Sequence, residues 1–137
     1  MAKDIYHANV REALVKDGWT ITDNPLPLLA ENERWEIDLG SEKIFLAERG
    51  PEKIAVEVKS FIARSLSYEF HRAFGQYTVY VDAMLEQEPD RTIFLAVPID
   101  VYDTLFTRPF YVKFLERHPM RLLVFDPSAN QIVQWKK

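Results

Sequence analysis

The sequence predicts an α/β sandwich, a central mixed β-sheet flanked by helices, on three observations. Strand-like runs follow an N-terminal helical segment, and a long amphipathic stretch follows those strands. Thr92 to Ile99, with Ile93-Phe94-Leu95-Ala96-Val97 at its centre, is apolar nearly throughout, the composition of a strand covered on both faces. At 137 residues the chain is read as one domain, residues 1–137, large enough to bury a real core. Its 47% hydrophobic and 28% charged residues argue against disorder.

In chain order, Asp4 to Asp17 reads as a helix capped by Asp4, with Ile5, Ala8, Glu12, Val15 and Trp19 recurring on one face. Trp19 to Thr22 reads as a short strand, and Asp23 to Arg34, with Pro25 and Pro27, as an irregular segment. Arg34 to Leu39, Lys43 to Glu48 and Lys53 to Phe61 read as strands, the last two joined by a turn at Arg49-Gly50-Pro51-Glu52. A second helix is expected from about Ser67 to Glu86, with Phe70, Phe74, Tyr77, Val81 and Met84 as its apolar stripe. After the apolar strand come two short helices, Val101 to Phe106 and Phe110 to Arg117, broken at Pro109. A terminal hairpin follows, Arg121 to Phe125 and Gln131 to Trp135.

No apolar run reaches the roughly 18 residues of a bilayer span. The first residues lack the apolar stretch of a secretory signal, and there is no cysteine, so disulfides and thiolate metal sites are excluded. These features fit a cytoplasmic setting without membrane association. The net charge of −4 disfavours tight unaided nucleic-acid binding, which depends on phosphate neutralisation by Lys and Arg. Between Val58 and Tyr77, however, Lys59, Arg64, His71 and Arg72 stand against Glu69 alone, so one face is locally basic.

The chemistry concentrates in Ile54-Ala55-Val56-Glu57-Val58-Lys59. Alternation along a strand puts Glu57 and Lys59 on one side and Val56 and Val58 on the other. A carboxylate and an ammonium ending a hydrophobic strand cost free energy unless they pair, hold a metal or meet a ligand. Asp38, in Trp35-Glu36-Ile37-Asp38-Leu39, is a further acid in a strand-like context. Hard oxygen donors suit Mg²⁺ or Mn²⁺: Asp38 and Glu57 as carboxylates and the Val58 carbonyl as a neutral ligand. Lys59 can orient an attacking water or stabilise charge on phosphoryl oxygens. The competing reading is an ordinary Glu57–Lys59 ion pair on a solvated strand end.

Glu12 sits on the expected inward stripe of the first helix, where a carboxylate needs a metal or bound water as partner; alternatively it lies at the stripe's edge and pairs with Lys16 or Arg11. Gln76, one turn after Arg72, either looks into the same site and holds a water or phosphate oxygen, or is a solvated helix residue. His7, His71 and His118 have no metal-ligand spacing, and His71 is at best an auxiliary phosphate contact. Phe106, Phe110, Tyr111 and Phe114 fill core or a partner surface.

The runs Glu36-Ile37-Asp38-Leu39-Gly40, Ile54-Ala55-Val56-Glu57-Val58-Lys59-Ser60-Phe61, Phe74-Gly75-Gln76-Tyr77 and Leu95-Ala96-Val97-Pro98 together resemble the XisH family, the fdxN element excision controlling factors. The resemblance extends from the first helix to the C-terminal hairpin. It implies a restriction-endonuclease-like fold of the PD-(D/E)xK superfamily, a three-layer sandwich. It places metal acids at Asp38 and Glu57, the lysine at Lys59, a helix acid at Glu12 and a helix glutamine at Gln76. Ile37 replaces the proline that often precedes the metal aspartate. With a turn centred on Gly50-Pro51, Glu57 falls opposite roughly Ile44, so Asp38 lies on the order of 20 Å farther along a straight strand. A bulge or corner near Gly40-Ser41 is then expected to return it to the pair.

The function so implied is DNA-element excision control with a nuclease-type metal site, active or vestigial. An active site would be that of a Mg²⁺-dependent endodeoxyribonuclease. The implied partners are DNA, a small XisI-like protein and a separate site-specific recombinase, and a homodimer would suit cleavage of both strands. The alternative is a non-catalytic regulatory or protein-interaction module on a nuclease fold.

Overall fold

The computed structural model describes residues 5–22, 28–30, 33–35, 44–61 and 65–137. Its elements are α1 (His7–Lys16), β1 (Thr20–Thr22), β2 (Leu28–Ala30), β3 (Glu33–Trp35), β4 (Ile44–Arg49) and β5 (Glu52–Val58). After these come α2 (Leu66–Gln87), β6 (Arg91–Pro98), α3 (Ile99–Leu105), α4 (Pro109–Arg117), β7 (Leu122–Asp126) and β8 (Gln131–Lys136). Among the described residues six strands form one mixed sheet in the order β1-β4-β5-β6-β7-β8, and β2 and β3 form a separate antiparallel pair. Helices lie on both faces, so the expected α/β sandwich is the observed architecture.

The apolar run 92–99 becomes β6, which pairs in parallel with β5 on one side and β7 on the other. That central position is why the run carries almost no polar residue. β4 and β5 form a tight hairpin in which Ile44 faces Glu57 and Arg49 faces Glu52, the register expected from the turn. Gly50 closes it at φ +59, a left-handed conformation that glycine adopts without a Cβ penalty.

Side-chain alternation divides the core into two layers. Val56, Val58, Phe45, Phe94 and Phe125 pack under Val10 and Leu14 of α1. Ala55, Leu95 and Val124 pack under Phe70, Tyr77 and Met84 of α2, with Val101 and Leu105 of α3 and Tyr111 of α4 completing that layer. Phe70 anchors it, meeting Phe106, Tyr111 and Phe114 edge-on at centroid distances of 5.4, 5.1 and 5.9 Å. At the sheet's other end the buried Arg91 guanidinium donates to the Ile54 carbonyl at 2.8 Å and meets Glu88 at 3.0 Å and Glu48 at 3.3 Å.

Several boundaries differ from the sequence expectation. α1 starts at His7 after Tyr6, and Asp4, expected as its cap, lies outside the described residues. Its buried positions are Val10, Ala13 and Leu14, while Ile5 and Val15 are exposed. The true stripe therefore lies on roughly the opposite side of the helix from the expected one, because both faces carry aliphatic side chains and periodicity alone does not rank them. The segment read as irregular contains β2, which lies against α2. Pro109 does not break a helix but starts α4, where its missing N–H is not needed. Ser65 caps α2, its hydroxyl accepting from the Tyr68 N–H at 3.1 Å.

Candidate functional site

The site begins at the C-terminal end of β5. Glu57 shares the parity of Ala55, so its side chain leaves the sheet on the α2 side and is completely buried. Lys59 follows on the same side, nine-tenths buried, with its ammonium 3.7 Å from Glu57 Oε2. The Lys59 ammonium also donates to Gln76 Oε1 at 2.5 Å. The acid and base expected to share a face do so, and Gln76 joins them from α2 rather than standing in solvent. A carboxylate at zero exposure would cost several kcal/mol uncompensated, on the order of the penalty for a buried ion, so the adjacent ammonium is a structural requirement as well as a chemical opportunity.

Two neighbours were not singled out as site residues. Tyr77 reads in the sequence as a core stripe residue, yet its hydroxyl donates to the Ile93 carbonyl at 3.2 Å and accepts from the Arg121 N–H at 3.0 Å. Burial raises the Tyr77 phenol above its usual value; the Arg121 contacts oppose the rise and the Glu57 charge adds to it. Phe61, two residues past Lys59, is buried at φ +57, a left-handed conformation rare for an aromatic residue. It packs edge-on to Phe106 at 6.4 Å. The sequential adjacency of Gln76 and Tyr77 was the available signal for the first, and nothing in the sequence marked the second.

Glu12 requires a correction. Its side chain is 55% exposed and pairs with Lys16 at 3.6 Å, the alternative reading of that residue. The physical reason is layering: Val10 and Leu14 hold α1 on the sheet face lined by Val56 and Val58, opposite the face that carries Glu57. His71 is likewise engaged elsewhere, its Nε2 lying 3.1 Å from the Tyr111 hydroxyl.

Asp38 lies outside the described residues. The register establishes that Glu57 is the partner of Ile44, six positions after Asp38. The Val58 side chain is buried under α1. The Lys59 N–H donates to the Ala96 carbonyl at 3.3 Å, and the C=O and N–H of one trans peptide point in opposite directions, so the Val58 carbonyl points toward the β4 side. Pro98, lacking an N–H, ends β6 just beyond. Hard oxygen donors at this strand end are thus the Glu57 carboxylate and the Val58 carbonyl, a type of set that suits a small divalent cation. Among the described residues no group of three or more His, Cys, Asp or Glu side chains gathers. Among those residues, too, no helix is long and apolar enough to cross a membrane.

Comparison with known proteins agrees with this architecture. The XisH protein family model matches residues 1–133. A crystal structure of an XisH family protein from Nostoc punctiforme PCC 73102 superposes with a TM-score of 0.88 at 38% identity, covering 98% of this chain and 100% of that one. The crystal structure of a fdxN element excision controlling factor protein from Anabaena variabilis matches with the same TM-score at 40% identity, again over 98% and 100% of the two chains. No curated protein matches. The family match over nearly the whole length and these two close structural relatives lead to one conclusion: the chain belongs to the XisH family.

Proposed function

We propose that this chain acts in controlling the excision of a DNA element, the role carried in the name of its Anabaena variabilis relative, through a nuclease-type site at the end of β5. The observation that carries the reading is the buried grouping of Glu57, Lys59 and Gln76 on one face of a mixed sheet. Such a placement of acid, lysine and glutamine is what the PD-(D/E)xK superfamily reading requires of these residues. Glu57 and the Val58 carbonyl, with Asp38, would hold Mg²⁺ or Mn²⁺. When bound, that ion lowers the pKa of a water and neutralises phosphoryl charge.

Lys59 would stabilise negative charge developing on the phosphoryl oxygens, because its ammonium already stands 3.7 Å from the metal-binding carboxylate. Gln76 accepts from that ammonium, which fixes the lysine's direction and leaves the glutamine amide nitrogen as a donor for a water or phosphate oxygen. In this reading Glu12 takes no part. DNA is the substrate, and an XisI-like protein and a separate recombinase are the partners, with a homodimer as the form that would cut both strands. The net charge of −4 fits a protein that reaches DNA with help from such a partner.

The direct test is plasmid nicking in Mg²⁺ or Mn²⁺ by the wild type and by Lys59→Ala. Loss of nicking in the variant is the expected result; equal cleavage by both removes the catalytic role. A non-catalytic regulatory module is the second reading, favoured by Phe110 and Val112, which stand 65% and 41% exposed on α4. Calorimetry separates the two, since only a working centre takes up Mg²⁺ in a manner abolished by Glu57→Gln.

A further inference from the structure

A cavity of about 340 Å³ opens at the opposite end of β5 from the candidate site. It lies beside the β4–β5 turn and the start of β6, and its walls include Trp19, Arg49, Lys53, Phe94, Arg121 and Trp135. Lys53 precedes Glu57 by four residues, about 13 Å along a strand, so the two places are separate. The volume sits at the lower end of the range for small-molecule sites, roughly 300–1,000 Å³.

Its walls combine flat surfaces with four cationic side chains, Arg49, Lys53, Arg121 and Lys137, which outnumber the carboxylates of Glu52 and Asp90. The Arg49 guanidinium lies 4.4 Å from the centre of the Trp19 ring, and the indoles of Trp19 and Trp135 are 5.8 Å apart at 46°. Arg49 is held in that attitude by Asp17 at 2.9 Å and Glu52 at 3.3 Å. Two carboxylates offset its charge, so Arg49 offers the cavity a fixed planar platform rather than a free cation. Trp135 meets Phe94 edge-on at 4.9 Å and remains partly exposed, which leaves ring surface to cover. Lys53 is exposed and has no ion pair among the described residues, and Arg121 is also exposed at the rim. Planar aromatic and guanidinium surfaces take up bases by stacking, while rim cations meet phosphates.

We infer that this cavity binds a nucleotide unit, its base stacked against Trp135 and the Arg49 plane and its phosphate on Lys53 and Arg121. The unit can come from a free nucleotide or from an unpaired position in a single strand. The inference does not depend on chemistry at Glu57, and it is tested without divalent metal, so a catalytically inert protein does not affect the result. Fluorescence anisotropy of a labelled single-stranded oligothymidine of roughly eight nucleotides reports binding at low salt, with unlabelled thymidine monophosphate as competitor. Wild-type protein should bind, and Trp135→Ala should weaken binding about 5- to 100-fold, the loss of one base stack. Lys53→Glu, an exposed change that leaves the core intact, should weaken it and flatten its salt dependence. Competition by the mononucleotide assigns the site to a free nucleotide, and its failure to compete assigns it to a unit within a strand. Absence of binding to either ligand, or binding unaltered in both variants, overturns the inference.

Discussion

Lys59 and Gln76, seventeen residues apart in the chain, meet at 2.5 Å because β5 ends beneath the third turn of α2, which carries the glutamine. The contact joins a strand terminus to a helix flank and puts the lysine between two oxygens, Gln76 Oε1 and Glu57 Oε2. It makes the lysine's position a property of two elements rather than of a flexible side chain.

Removal of the ammonium should therefore act on stability as well as on activity. Lys59→Met leaves the fully buried Glu57 without its adjacent cation and should cost about 3–5 kcal/mol in urea unfolding. Glu57→Gln combined with Lys59→Met should restore at least about 1 kcal/mol of that loss, since neither charge then remains. Strict additivity of the two single effects would show that the groups do not interact.

The reassignment of α1 predicts a contrast in nicking assays. Glu12→Ala should leave nicking unchanged and alter stability by no more than about 0.5 kcal/mol, because its pair with Lys16 is exposed. Gln76→Ala should lower nicking roughly 10- to 100-fold by releasing the lysine. Reversal of this order would return Glu12 to the site.

Tyr77 predicts a pH dependence. Its folded phenol titrates above the ordinary tyrosine value of 10.0, chiefly through burial, so the folded state holds the proton more tightly than the unfolded chain. That contribution is fully present below pH 10 and is lost as pH climbs through the raised folded value. Tyr77→Phe should remove this alkaline component while costing about 1–3 kcal/mol near neutrality, from the buried partners left at Ile93 and Arg121. Parallel stability curves for wild type and variant above pH 10 would contradict the account.

Gly50 isolates backbone strain from packing. A Cβ there would meet nothing within 4 Å, yet φ is +59. Gly50→Ala should then destabilise by about 1–2 kcal/mol, and Gly50→Asn by less, because asparagine tolerates the left-handed region. Thermal unfolding of the two variants checks the order.

Much of the fold was legible in residue patterns. The all-apolar run 92–99 announced a central strand, and β6 has parallel neighbours on both sides. Gly50-Pro51 announced the hairpin and its register, since a tight turn leaves little freedom in pairing. Strand parity put Glu57 and Lys59 on one face before any tertiary contact was known. β2 was not legible, because three residues among prolines and acids carry too little periodicity to distinguish a strand from a loop. The rotation of α1 was not legible either: Ile5 and Val15 are as apolar as Val10 and Leu14, so the pattern supports two stripes.

By itself, then, the amino-acid order determined the longer elements, the pairing of β4 with β5 and the shared face of the acid and the base. Those follow from local dihedral preference and the two-residue period of a strand. Only the tertiary structure decided that α1 packs on the face away from Glu57, leaving Glu12 at the surface, and that α2 brings Gln76 onto Lys59. A helix's layer and its rotation about its own axis are set by burial against the whole sheet, a quantity that no single segment contains.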